Sequence, residues 1–478
     1  MRHMLILIST FLILASSIRA QTMEDANLCQ HATDPDVAIR SCTLFIESGT
    51  VTNSARAVAF YNRGTNYGRS GRYDRAVQDF DQAIRLKPDD GMAYYNRGKA
   101  YDEMRQYDSA IGDFGQAIRL IPNYSDAYAG RGTAHRSKGE LDLAILDFNQ
   151  AIQLAPNSLV AHSQRGIAYT QKGEYNLALE DYNQAIQLNP RLASGFDDRG
   201  GLYTLMRDYE HAIQDFDHAI NLDSHSADPF NNRCYLLYLK QEYDRAISDC
   251  DKAIQLKPDS ALAFFHRGLV NRMEGKPDLA IKDFDRAIQL SPGYADAFRS
   301  RGSAYMTMGE LGRATEDFSK AILLNPRDEL ALRNRGTAQF ARGAFTNASQ
   351  DFSDGLKLRP ADPYLLIWAY LSRARAKEKA DIALDIAPQA DVGSWPGPVL
   401  ALYEGKIRPT QLLAAAASPD TKMQHDQECE AHFYIGEYEL LQGLQKLALG
   451  EFRTAAETCP VNFYEFEVAG AELKRLQD

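Results

Sequence analysis

Residues Ala57–Asp90 read AVAFYNRGTNYGRSGRYDRAVQDFDQAIRLKPDD, and the glycine at position 64 returns at a fixed interval of 34 residues as Gly98, Gly132, Gly166 and Gly200. Cys234 holds the next place, and Gly268, Gly302 and Gly336 resume the series. Other residues keep the same step. Twelve places after the glycine comes alanine in every unit, from Ala76 to Ala348; a small residue recurs seven places further on, from Ala83 to Gly355. Between them stands a ring: Phe80, Phe114, Phe148, Tyr182, Phe216, Phe284, Phe318 and Phe352. Proline closes eight of the nine units, from Pro88 to Pro360, and Ser224 closes the other.

A small residue in register with a ring is the signature of two helices packed at close range, because one must offer a gap that the other fills. Apolar residues three and four apart supply each helix with a buried stripe. The proline cannot continue a helix and begins the next turn. Nine such units over residues 57–362 resemble the tetratricopeptide repeat (TPR) family. The resemblance implies an all-α solenoid: a right-handed superhelix of helix-turn-helix hairpins whose first helices line a concave face. That open face, rather than a closed pocket, is where such an array acts.

Each unit also carries Arg before the glycine, from Arg63 to Arg335, and Asp on the second helix, from Asp79 to Asp351. Family members more often place apolar residues at both positions. Joint replacement by opposite charges predicts one Arg–Asp pair per unit, bracing helix against helix or unit against unit; the alternative is two solvated charges.

Met1–Ala20 has a basic start, an apolar run and small residues before Gln21, which reads as a secretory signal peptide. The run is too short for a membrane span, and no cysteine follows it in a lipoprotein-like setting. Its removal takes away Arg2 and Arg19 from a chain already at net −11. That balance, with Lys and Arg interleaved among acids, argues against a nucleic-acid partner. The expectation is an exported protein, periplasmic or secreted, soluble and without membrane insertion.

Six cysteines in an exported chain invite pairing. Cys234 and Cys250 take the glycine and ring places of the sixth unit together, so a disulfide would replace a glycine–ring contact; closing so short a loop is worth about 3 kcal/mol. Cys429 and Cys459 fall at the open end of a later hairpin, and Cys29 and Cys42 flank a turn at Asp34-Pro35. These three bridges are expected, although six cysteines permit about fifteen pairings.

Residues 21–56 read as an N-terminal helical cap, with Pro35–Glu47 helical and Gly49 stopping it. After Asp362 the register breaks into an irregular helical connector over 363–426: Pro363–Ala387, a turn at Ser394–Pro398, then short helices at Val399–Tyr403 and Thr410–Ala417. A further unit returns at Gln427–Pro460 with Gly436, Ala448, Phe452 and Ala455 at the same offsets, and Phe463–Leu476 reads as a capping helix, so that 427–478 closes the chain. WPGPVLALYEGKI, CEAHFYIGEYELLQGLQKLALGEFRTAAETCP and NFYEFEVAGAELKRL resemble the C-terminal part of the new-lipoprotein-type TPR adaptor of bacterial envelopes. This second resemblance implies a periplasmic scaffold docking envelope proteases and cell-wall hydrolases. The chain departs from that adaptor in lacking a lipid-anchor cysteine.

In the TPR fold, places two before and one, four and five after the glycine face inward. Two before it stand Asn62, Asn96, Gly130, Gln164, Asp198, Asn232, His266, Ser300 and Asn334. A carboxamide both donates and accepts, so a spaced row can bond a peptide main chain without reading its side chains. The row is similar to the asparagine ladder in the TPR arm of O-linked N-acetylglucosamine transferases. The remaining inward places predict a polar entrance (Thr65, Arg69, Lys99, Asp102, Glu103, Thr133, Arg136) and an apolar stretch in units six to nine (Tyr235, Tyr238, Leu239, Phe265, Leu269, Met273, Met306, Phe340), the latter a docking surface.

No phosphate loop, nucleophile elbow or zinc motif is present, and no cofactor or metal is expected. His211, His218 and His225 recur every seven residues but read as solvated histidines. The sequence therefore favours a non-enzymatic scaffold binding extended or helical segments of other proteins. The alternatives are a self-assembling structural protein with the C-terminal unit as a homodimer surface, and an enzyme or ligand-binding protein using a compact pocket in 363–426.

Overall fold

The computed structural model describes residues 23–49, 51–378, 393–460 and 463–477. The signal-peptide reading of residues 1–20 lies outside them, as does the far end of the helix expected over Pro363–Ala387. Among the described residues all regular structure is helical. The chain divides into two compact units after Ser224, the closing position that lacks the proline found in the other eight repeats.

The first unit opens with Pro35–Glu47, whose N-cap Asp34 accepts from the amides of Asp36 and Val37. Five hairpins follow, from Asn53–Arg69 with Tyr73–Leu86 to Ala193–Leu205 with Tyr209–Leu222. Each second helix packs on its own first helix, and within the unit on the first helix of the next repeat. The second unit continues with four hairpins, from Asp228–Leu239 with Tyr243–Leu256 to Glu329–Ala341 with Phe345–Leu358. Pro363–Arg375, Gly397–Tyr403 and Pro409–Ala415 come next, and Thr421–Leu441, Gln445–Thr458 and Tyr464–Gln477 close the chain. Thr421–Leu441 begins about two turns before Cys429, which therefore sits inside its helix rather than at the start.

Within every hairpin but the sixth the repeat glycine lies under the ring sixteen residues later. A Cβ added at Gly268 would stand 2.6 Å from Phe284 Cε1, and one at Gly436 2.8 Å from Phe452 Cε1. The turn between the two helices is also fixed: the residue seven after the glycine place has positive φ in all nine repeats. It is glycine in six and Arg105, Arg207 or Gln241 in the others, at φ 58–62°. Gly443 repeats this offset from Gly436.

The arginine before each glycine forks onto the aspartate sixteen residues on. Nε donates to Oδ2 at 2.6–3.0 Å and Nη2 to Oδ1 at 2.6–2.8 Å, from Arg63–Asp79 through Arg335–Asp351. The third nitrogen, Nη1, reaches back sixteen residues to the second helix of the preceding repeat. Arg97 finds Asp81, Arg165 Asn149, Arg199 Asn183, Arg267 Asp251, Arg301 Asp285 and Arg335 Ser319. The pair thus braces helix against helix and repeat against repeat at once. Burial pushes the Asp79, Asp113 and Asp351 carboxyls up while the arginine bonds pull them back. Losing one partner is therefore more costly than never having had the pair.

Disulfides join Cys29–Cys42, Cys234–Cys250 and Cys429–Cys459. In the sixth repeat the bond occupies the space of the glycine and the ring.

Asp215→Ala leaves Arg199, about one-fifth exposed, without its carboxylate. It should lower the unfolding free energy by about 3 kcal/mol, read as an earlier denaturant midpoint; an unchanged midpoint would show the pair to be inert. Gly268→Ala should destabilise by about 1–3 kcal/mol because its methyl meets a closed ring. Gly201→Ala, one residue past the repeat glycine in its helix with nothing within 4 Å of the added carbon, should stabilise by about 0.5–1 kcal/mol. Thermal melts of the two variants check the opposite signs.

Candidate polypeptide-binding grooves

In the first unit eight of the predicted inward places line one groove of about 800 Å³, while Asn62, Arg136, Gln164 and Asp198 are not among its lining residues. Thr65, Arg69, Asn96, Lys99, Asp102 and Glu103 form much of its wall. Lys99 holds its ammonium 5.1 Å from the Tyr95 ring centre, and Tyr95 packs on Tyr124 at 4.8 Å. Asn96 Nδ2 donates to the Tyr61 hydroxyl at 2.9 Å and to the Met92 carbonyl at 3.0 Å, leaving its carbonyl oxygen for another donor. The row of carboxamides breaks at Gly130 for a packing reason: a Cβ there would stand 2.8 Å from Phe114. Asn62 and Gln164 are half-buried at their places. Gln164 Oε1 and Asp102 Oδ1 are buried with no hydrogen-bond partner among the described residues. Burial and the charge of Asp197 push the Asp198 carboxyl up to about 7.

In the second unit the inward places diverge along the stack. Asn232 and Tyr238 are half-buried, while Tyr235, Leu239 and Met273 are exposed. Tyr235 stacks on His266 at 4.8 Å, and Phe265 tilts against Tyr294 at 4.9 Å. His266 is buried against Asn231 Oδ1 at 2.9 Å, and burial lowers its pKa to about 4, so the ring is neutral at pH 7.

Further along, the expected open apolar surface is absent. Phe340 and Met306 are 0% and 5% exposed: the Phe340 ring packs on Phe345 at 4.9 Å and on Trp368 at 5.2 Å, and the chain's own closing helix, Tyr464–Gln477, packs on Glu329–Ala341. The Tyr464 hydroxyl donates to Asn334 Oδ1 at 2.6 Å. Arg475 Nη2 donates to the carbonyls of Ala341 at 2.6 Å and Phe340 at 3.3 Å. Arg375 ties the same region together, donating to Glu437 at 2.7 Å and Glu472 at 3.0 Å, with both carboxylates fully buried. Sequence reasoning placed Asn334 and Phe340 on a free surface; Tyr464 of the closing helix takes Asn334, and Phe345 and Trp368 cover the Phe340 ring. Tyr464 and Arg475 lie eleven residues apart, three helical turns, and so share a face.

A second cavity of about 210 Å³ lies among Arg333, Tyr364, Trp368, Glu430, Tyr464 and Glu465. Only Tyr364 and Trp368 come from the 363–426 connector. Glu430 accepts from Trp395 Nε1 at 2.6 Å and the Tyr364 hydroxyl at 3.0 Å, and Glu465 accepts from the Tyr434 hydroxyl at 2.8 Å. These carboxyls are held by ring donors and serve as packing groups. Among the described residues no group of three or more His, Cys, Asp or Glu side chains is placed to hold a metal ion. His211 and His218 rest instead on Tyr203 and Phe196 at 5.2 and 5.4 Å.

Models of the tetratricopeptide repeat match residues 64–105, 96–158, 160–192, 234–295 and 299–363. The array is therefore made of tetratricopeptide repeats, modules that generally serve as protein–protein interaction scaffolds, and no catalytic family is indicated. Similar solved structures include a tetratricopeptide repeat protein from Parabacteroides merdae, at 23% identity and TM-score 0.45, covering 52% of this chain and 98% of that one. PilF of Pseudomonas aeruginosa matches at 19% identity and TM-score 0.40, over 43% of this chain and 94% of that one. The APC/C hetero-tetramer Cut9–Hcn1 matches at 13% identity and TM-score 0.48, over 76% and 88%. No curated protein matches the chain in sequence.

Burial raises the carboxyls of Glu467 on the closing helix and of Glu430 to about 8. The folded protein holds these protons where the unfolded chain has released them, so stability is greatest below the ordinary carboxyl range and falls as pH rises through about 8. The melting temperature should decline from pH 5 to pH 8, and Glu467→Gln should flatten part of that slope.

Proposed function

We propose that this protein is a non-enzymatic adaptor that takes an extended polypeptide segment into the groove of its first unit. The observation that carries the reading is the closing helix itself. A polypeptide already occupies the inner face of the last repeats, and it does so by a hydroxyl bond to Asn334, a member of the carboxamide row, and by an arginine bonded to main-chain carbonyls. The first-unit groove presents the same kind of places, and Asp102 Oδ1 on its wall has no hydrogen-bond partner among the described residues. Next to the covered repeats, Tyr235, Leu239 and Met273 offer an adaptable apolar surface suited to a partner's hydrophobic side chains.

The compartment belongs to the same proposal. Three disulfides persist in an oxidising space, and residues 1–20 read as an export signal. Among the described residues no helix is long and apolar enough to cross a membrane. These features support an exported adaptor of the bacterial envelope, with envelope proteases and cell-wall hydrolases as the partner class that the tail resemblance suggests.

The test is fluorescence anisotropy with a library of labelled 12-residue unstructured peptides and the full chain. Binders should emerge, and the double variant Asn62→Ala/Asn96→Ala should weaken them about tenfold, the value of one to two hydrogen bonds. A folded wild type that binds none of the peptides defeats the proposal, as does a double variant that binds as tightly as wild type.

A further inference from the structure

Packing does not exhaust the two glutamates of the 210 Å³ cavity in the second unit. Four rings stand on its wall: Tyr364 and Trp368, four residues apart on Pro363–Arg375, and Phe463 and Tyr464 where the closing helix begins. Glu430 and Glu465 stand among them, 8% and 3% exposed. The bonds to these carboxyls come from neutral donors, Tyr364 and Trp395 on Glu430 and Tyr434 on Glu465. Arg333, the cation on the wall, is already shared by Glu329 at 2.8 Å and Asp362 at 2.9 Å. The wall's two hydroxyls are spent as well: Tyr364 donates to Glu430 and Tyr464 to Asn334. Apart from Arg333, the cavity offers an occupant carboxyl oxygens and ring faces.

Buried carboxylates without a cationic partner are costly, and ring faces attract positive charge. An anion would meet two carboxyls, and an uncharged alkyl group would leave them uncompensated. Two carboxyls are too few oxygens for calcium or magnesium. We propose that this cavity binds a primary ammonium group, with its N–H donors on Glu430 and Glu465 and its alkyl stem among the four rings. Burial and the neighbouring Glu465 raise the Glu430 carboxyl. An ammonium between the two offsets both effects, and any proton the pair holds leaves to solvent as it binds. A free amine and the lysine side chain of a partner carry the same group. The site shares no residue with the first-unit groove, so it goes beyond the adaptor reading and stands apart from it.

The chain's two tryptophans both report on this cavity, Trp368 from its wall and Trp395 through Glu430. The full chain is titrated at constant ionic strength with n-butylammonium, and in parallel with n-butanol, butyrate and sodium chloride, while tryptophan emission is followed. Butylammonium should give a saturable change with a Kd of about 1 mM or below, within reach of about five heavy atoms; the other three should give none. Glu465→Gln, which keeps an acceptor for Tyr434 and removes the charge, should weaken binding about tenfold or more. A capped Gly-Lys-Gly peptide titrated in the same way separates the sources. A response to the peptide assigns the site to a partner's lysine, and a response to butylammonium alone assigns it to a free amine. No saturable response to either, an equal response to n-butanol or butyrate, or a Glu465→Gln variant that binds as tightly as wild type overturns the proposal. Should Glu465→Gln fail to fold, the wild-type contrast between charged and uncharged probes decides.

Discussion

The fork from arginine to aspartate is the contact around which the array is organised. Arg-Gly on a first helix meets Asp-ring on the second, sixteen residues later, so an ionic clamp and a close-packed contact are neighbours in eight of the nine repeats, and a disulfide takes the second role in the sixth. The glycine lets the helices approach; the bidentate pair then fixes their rotation, because a planar guanidinium accepts a carboxylate in few orientations. The third nitrogen carries that orientation into the preceding repeat. Where its usual acceptor position is Gly115, Arg131 keeps only the intra-repeat fork. Arg131 thus has one anchor where Arg97 and Arg165 on either side have two, which makes the joint between repeats two and three less constrained than theirs.

Because the clamps lie between helices, they leave the inner places of the first helices to other uses. In the first unit those places carry carboxamides and charges around a groove. In the second unit the last repeats use them to seat the closing helix. The fold thus separates support from recognition: residues adjacent in sequence, such as Asn96 and Arg97, belong to different systems. Asn96 stands at the groove wall and Arg97 grips Asp113 and Asp81.

The repeats were legible because their signals are periodic. The glycine of Gly64 and the ring of Phe80 each stand in eight of the nine repeats, and the paired departures at Cys234 and Cys250 point to each other for the same reason. The left-handed turn seven places after the glycine was also visible as six glycines, yet Arg105, Arg207 and Gln241 adopt it without one. The closing helix was legible as a helix but not as an occupant. Nothing repeats after residue 460, so no register relates Tyr464 to Asn334, 130 residues away. The charges that hold it, Arg375 with Glu437 and Glu472, come from three segments with no shared spacing. Long-range pairing in a single copy leaves no pattern for a sequence to display.

The covered end explains why the exposed apolar residues stop where they do. Phe340 has the same place in repeat nine as Met306 in repeat eight and Tyr238 in repeat six. The first two are sealed, while Tyr238 is only half-buried and the exposed Met273, one place further on in repeat seven, lies beside it along the stack. A continuous apolar strip would expose more hydrocarbon than a single helix can cover, and large exposed patches favour association. The strip is divided instead: its far part is used internally, and its near part remains available at Tyr235, Leu239 and Met273. Arg272, one residue before Met273, is also the cation acting on Glu467 of the closing helix.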